Sequence, residues 1–169
     1  MTNEMQKFFI TLILLFSSFL FSNSKPVAIV VHGGAGWFEN MPEGQVEGIM
    51  EGLEDAMNIG YEILINGGSS LDAVEQSIIH LENDPLFNAG KGAVYTSELR
   101  QELDASIMYG LNNDAGAVAS VTNVKNPISL ARYVMENTEH VMFSSRGAER
   151  VAKDAGLDIV YPSYFYQKD

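Results

Sequence analysis

An α+β fold is predicted for this chain, with helices grouped between one isolated strand and a later cluster of strands. Three observations predict it. Two stretches, 42–66 and 69–81, repeat apolar residues at three- and four-residue steps, the period of an amphipathic helix. Three short β-rich runs, 93–96, 103–108 and 115–121, follow in close succession. Ahead of both lies Val27-Ala28-Ile29-Val30-Val31, a continuous β-branched run of the kind buried on both faces of a sheet.

That first run leads into His32-Gly33-Gly34-Ala35-Gly36. A strand followed by glycines suggests a phosphate cradle, but the third glycine of G-x-G-x-x-G is replaced by Glu39. No P-loop and no G-x-S-x-G elbow occurs in the chain. His32 therefore reads as a hydrogen-bonded structural histidine before a catalytic one. The first helix is expected to bury Val46, Ile49, Met50, Leu53, Met57, Tyr61 and Leu64 and to turn Glu47, Glu51, Glu54, Asp55 and Glu62 to solvent. Gly67-Gly68 end it, and Ser69 is placed to cap the second helix, with Leu71, Val74, Ile78 and Leu81 inward.

Leu81 to Gly92 leaves that helix, turns at Pro85 and passes through Gly90 and Gly92 into a strand expected at Ala93-Val94-Tyr95-Thr96. A loop of this make-up can aim several carbonyl oxygens at one point, as a hard cation requires. By composition alone it reads first as an ordinary helix-to-strand connection. Strands over 103–108 and 115–121 come next, the latter with small residues that admit close packing. Asn126 and Pro127 open a helix carrying Ile128, Leu130, Ala131, Val134 and Met135 inward. A short strand at His140-Val141-Met142-Phe143 and a helix from Arg146 to Ala155, stopped by Gly156, complete the order. No further element is expected in the aromatic stretch from Tyr161 onward.

Residues 1–24 read as an export signal: Lys7 precedes an apolar run ending at Phe21, and Ser22-Asn23-Ser24 suits a signal peptidase, with Lys25 as the new N-terminus. At about 14 residues the run is shorter than the roughly 20 a spanning helix needs. Residues 25–169 have the size of one domain, and the expected form is exported, with no membrane attachment once the signal is removed. The net charge of −12 leaves no footprint for nucleic acid, and the absence of cysteine means no disulfide supports the fold.

Five phrases, in this order, resemble the plant-type L-asparaginases, also called isoaspartyl peptidases. They are His32–Gly36, Leu81–Gly92, Glu102-Leu103-Asp104-Ala105-Ser106-Ile107-Met108, Ala115-Gly116-Ala117-Val118-Ala119, and Asn126-Pro127-Ile128 with Ala131-Arg132. The resemblance implies a four-layer αββα sandwich of the N-terminal-nucleophile hydrolase type, incomplete in this chain. It implies a precursor that cuts itself before a threonine, whose hydroxyl then attacks L-asparagine or a β-aspartyl peptide and whose α-amine serves as base.

The family's Gly-Thr-Val-Gly cleavage motif is absent, and none of Thr96, Thr122 and Thr138 follows a glycine. Residues 25–169 accordingly resemble the α half of the precursor. No catalytic nucleophile is expected in this chain, which alone should be inactive; its partner would be the β half, in an (αβ)2 assembly. The resemblance assigns no organic cofactor but a structural sodium ion, held by backbone carbonyls of Leu81, Glu82, Asp84, Phe87, Ala89 and Lys91. It gives Asn88 a supporting place beside the nucleophile and sets His32, Gly33, Gly34, Ala35 and Gly36 near the cleavage point. Tyr109 stands where the family usually has aspartate. The other reading of the chain is a non-catalytic exported remnant that binds a partner through its exposed sheet.

Overall fold

The computed structural model describes residues 26–34 and 41–166. The expected export signal, Ala35 and Gly36 lie outside the described residues. Helix α1 (Glu43–Ile65) and helix α2 (Ser70–Asn83) fall where the periodicity puts them. Between them the chain stops α1 with Gly67 at φ 84°, and the Gly67 and Gly68 amides donate to the carbonyls of Leu64 and Ile63. Ser69 then closes a reciprocal capping box with Asp72, satisfying donors that the first turn of α2 leaves open.

The buried face of α1 differs from expectation. Ile49, Gly52, Ala56 and Gly60 are buried, whereas Met50, Met57 and Tyr61 are exposed. Small residues at four-residue steps make a groove, and its neighbours fill it. A Cβ on Gly48 would meet Leu86 at 2.9 Å, and one on Gly52 would meet the Phe87 ring at 2.8 Å. At Gly60 the Ser77 hydroxyl lies only 2.5 Å from the Cβ position, and that hydroxyl donates to the Ala56 carbonyl at 2.7 Å. Large apolar side chains on this side would hold α2 away. On α2 itself Val74 is likewise exposed, and Ala73 and Ser77 take the buried places.

Val27–Val31 forms no strand. Val30 is 91% exposed, and Ile29 and Val31 rest on α1 instead, Ile29 over Gly60 and Val31 against the Ile49, Ala56, Leu81 and Phe87 cluster. A strand needs a neighbour to bond, and among the described residues none lies beside this segment. Ala93–Thr96 is not a strand either: a single bridge joins Tyr95 to Gln101, and the chain turns back through Leu99 at φ 57°.

The sheet has three strands in the order β1 (Leu103–Tyr109), β2 (Asp114–Val121), β3 (Met142–Ser144). β1 and β2 are antiparallel, with a register shift between Leu103 and Ala105; there Ser120 sits at φ 52° and its N–H donates to the Asp104 carboxylate at 2.8 Å. β3 lies two residues later than expected and pairs parallel to β2 after the crossover helix α3 (Pro127–Asn137). Helix α4 (Ser145–Asp154) follows, and Gly156 at φ 73° ends it as anticipated.

Helix α3 lies almost on the backbone of β2: a Cβ at Gly116 would overlap the Ala131 carbonyl. That approach completes the main core, in which Val118, Val121, Leu130, Ala131 and Val134 are fully or nearly fully buried. Ile78 touches both this core and the α1 cluster. The tail also differs from expectation. Pro162–Tyr164 form a 3-10 turn that delivers Phe165, 1% exposed, into the main core. Among the described residues no helix is long and apolar enough to cross a membrane.

Candidate functional site

The loop from Leu81 to Gly92 closes on its own carbonyls. Gly90 adopts φ 50°, and a Cβ there would overlap the Glu82 carbonyl oxygen. One at Gly92 would overlap the Phe87 oxygen and stand 2.7 Å from that of Pro85. Both positions therefore require glycine. The turn is pinned by Asp84, whose carboxylate accepts the Leu86 N–H at 2.9 Å, and by Phe87, which is buried against Gly52 of α1. Among the expected cation donors, the carbonyls of Leu81, Asp84, Phe87 and Ala89 each also accept one backbone N–H. A carbonyl has a second lone pair, so these bonds leave room for a cation.

Asn88 is exposed, and its side-chain oxygen accepts the Val94 N–H at 3.1 Å. Its amide is thus held across the base of the loop. His32 is exposed as well, its Nδ1 accepting the N–H of Gly34 at 3.1 Å, the local bond of a structural histidine. Gly33 lies over α1 and Phe87, with Leu53 and the Phe87 ring 3.3–3.4 Å from its Cβ position. The histidine loop and the 81–92 loop therefore meet on the same residue, Phe87. Tyr109 is half-buried and packs on the main core.

Sequence reasoning missed the side chain of Glu82. It is 3% exposed; one carboxylate oxygen accepts the Asn126 amide at 3.0 Å and the other the Ile128 N–H at 2.9 Å. Asn126 was expected to cap α3 and makes no side-chain cap bond; Glu82 caps the helix from across the fold. Desolvation pushes the Glu82 carboxyl up to about 7, and Glu75 adds to the rise, while the bonds from Asn126 and Ile128 oppose it. Glu82 and Ala89 share a cavity of about 530 Å³ with Asp104 and Ser106 of β1. Gln101 was missed too: buried, it donates to the Ala93 and Phe165 carbonyls at 2.7 and 2.8 Å, tying the loop's exit to the tail.

The three threonines among the described residues are engaged in local motifs. Thr122 Oγ1 donates to Glu149 at 2.8 Å, Thr96 Oγ1 accepts the Glu98 N–H, and Thr138 Oγ1 lies 2.9 Å from the Val134 carbonyl. Each has its α-nitrogen in a peptide bond, so none offers a hydroxyl beside a free amine. Among the described residues no group of three His, Cys, Asp or Glu side chains could hold a metal.

The sequence profile of the Asparaginase family matches residues 24–169. The chain is 48% identical over 138 residues to the plant-type L-asparaginase of Pyrococcus furiosus, covering 82% of this chain and 43% of that protein. It is 47% identical over 131 residues to the isoaspartyl peptidase/L-asparaginase of Rattus norvegicus, covering 78% and 39%. With the putative isoaspartyl peptidase/L-asparaginase of Dictyostelium discoideum it shares 42% over 148 residues, covering 86% and 43%. It thus spans less than half the length of these curated relatives. With the doubly glycine-locked loop in place and the match running through nearly every described element, the chain belongs to the family of plant-type L-asparaginases and isoaspartyl peptidases.

Proposed function

We propose that this chain is the α half of a self-processing isoaspartyl peptidase/L-asparaginase, acting with a β half that supplies the nucleophilic threonine. The observation that carries the reading is the 42–48% identity to relatives bearing those names. In the reaction, the threonine hydroxyl loses its proton to the threonine α-amine and attacks the side-chain carbonyl of L-asparagine or a β-aspartyl peptide. The C–N bond breaks, ammonia or an amino acid leaves with that proton, and water hydrolyses the resulting ester. This chain's part is to hold Asn88 and the 81–92 loop beside that centre.

The engaged threonines support a nucleophile from another segment. Exposed Val30, Met108 and Met142, on the expected first strand and on β1 and β3, support a partner that covers them in a four-layer sandwich. The carbonyls of Leu81, Glu82, Asp84, Phe87, Ala89 and Lys91 would hold the structural sodium; the closure of the loop at Gly90 and Gly92 fits backbone donors, and its role there is to stiffen the turn. Export with Lys25 as the mature N-terminus and an (αβ)2 assembly belong to the same proposal.

The test is ammonia release from L-asparagine by purified 25–169, alone and co-expressed with a family β half beginning at its threonine. The fragment alone should release none and should aggregate, and the pair should be soluble and active. Hydrolysis by the fragment alone would overturn the assignment of the nucleophile; an inert, well-folded pair would overturn the function.

A further inference from the structure

We infer that Glu82 is a positioning residue: its carboxylate, bonded to Asn126 and to the Ile128 N–H, fixes the 84–92 loop, and with it Asn88, against helix α3. Its bearing on turnover rests on the function proposed above; its bearing on loop geometry does not. A carboxylate 3% exposed loses its hydration, and packing alone would be served better by an apolar side chain of the same size. What the carboxylate adds is two acceptors for two donors with no other service on α3.

Ile128 is 2% exposed, so its N–H, in the first helical turn, has no access to water and depends on Glu82. Asn126, the residue before that turn, spends its amide on Glu82 rather than on its own helix. From the other end, the Glu82 carbonyl sits where a Cβ of Gly90 would be, so the loop's return is built on the same residue. Helix α3 in turn rests on β2 at Gly116. A continuous path of close contacts therefore runs from β2 through α3 and Glu82 to Gly90, two residues beyond Asn88. Glu82 and Ala89 both face the 530 Å³ cavity, so movement of Glu82 reshapes the space beside the loop.

The experiment compares amide hydrogen exchange, residue by residue, in the co-expressed pair carrying Glu82→Gln, Glu82→Met or Asn126→Ala. Glu82→Gln keeps an oxygen for Ile128, and Asn126 can turn its amide over to accept from the new NH2, so exchange should match wild type. Glu82→Met has similar length and no acceptor; Ile128 and Val94, the latter bonded to Asn88, should exchange about tenfold faster while β1 and β2 keep their protection. Should Glu82→Met not fold, Asn126→Ala, which spares the Ile128 bond, is expected to speed Val94 about threefold. In the assembled enzyme Glu82→Met should lower kcat with little change in KM, and Glu82→Gln should restore it.

Unchanged Val94 exchange in the variant that folds, or a uniform loss across β1 and β2, would overturn the inference and leave Glu82 as packing. Faster Val94 exchange with wild-type kcat would overturn its bearing on turnover. A wild-type assembly that leaves L-asparagine intact would strike the proposed function while the exchange result stands.

Discussion

A methyl group at Gly116 is expected to lift α3 off the sheet. Its Cβ would overlap the Ala131 carbonyl and stand 2.6 Å from the Met135 nitrogen and 2.8 Å from Met135 Cβ. Ordinary contact starts at 3.4 Å, so relieving the Met135 nitrogen alone moves the helix by about 0.8 Å. No flexible side chain can swing aside, because backbone meets backbone. Leu130, Ala131 and Val134 are each 0% exposed, and all would lose contacts as α3 retreats. Overpacking of this kind reaches about 3 kcal/mol, enough to lower Tm by several degrees. Gly147→Ala in α4 is the control: nothing lies within 4 Å of its Cβ position, and helix propensity should make it neutral or stabilising by up to about 1 kcal/mol. Thermal unfolding of the co-expressed pair, followed by circular dichroism, reads both. A Gly116→Ala variant within about 0.5 kcal/mol of wild type would refute the close approach of α3 to β2.

Three further outcomes are expected. The Ser69 hydroxyl, and after it the Arg132 guanidinium, hold the Asp72 carboxyl below the usual carboxylate range. A depressed folded pKa gives stability present above the unfolded value near ~3.9 and lost as pH falls through the folded one. Asp72 is 47% exposed, so screening keeps the effect below about 1 kcal/mol. Ser69→Ala should therefore destabilise at pH 7 more than at pH 2, and an equal loss at both would exclude the carboxyl. For the cation, thermal midpoints of the assembled enzyme should be higher in sodium than in a bulky organic cation; equal midpoints would remove the ion. Asn88→Ala forfeits one exposed hydrogen bond, about 1 kcal/mol, yet should slow turnover or self-cleavage about a hundredfold through misplacement of the nucleophile. A variant precursor that matures and hydrolyses normally would reduce Asn88 to a turn residue.

What was legible in the sequence follows the range of the interaction. Ser69 with Asp72, Gly67 with Gly68, Pro127 and Gly156 act within a few residues, and each marks its helix boundary as read. Periodicity found α1 and the burial of Ile49 and, in part, Leu53 but centred the face too far toward Met50, Met57 and Tyr61, because it weights large apolar residues and α1 also packs on its small ones. The signal was present: Gly44, Gly48, Gly52, Ala56 and Gly60 recur at every fourth position. Val27–Val31 and Ala93–Thr96 have strand composition without a partner among the described residues, and composition cannot supply one. In the candidate site, the glycines of the 81–92 loop announced its closure. The Glu82 carboxylate did not announce itself, since its partners Asn126 and Ile128 lie more than forty positions away and only the fold brings them together.

The groove on α1 divides the evolutionary freedom of that helix. At Gly52 and Gly60 a single added methyl meets several neighbours, the nearest at 2.8 Å or closer, so mutation there has almost nowhere to go, whereas at Gly48 only the end of the exposed Leu86 side chain stands in the way. On the opposite side Met50, Met57 and Tyr61 are exposed and can be exchanged for residues of many sizes without disturbing α2. The helix is thus brittle where its side chains are smallest and permissive where they are largest. Random mutagenesis of residues 43–65 should return low tolerance at Gly52 and Gly60 and high tolerance at Met50, Met57 and Tyr61, and a library seeking new surface properties should be built on those three large residues.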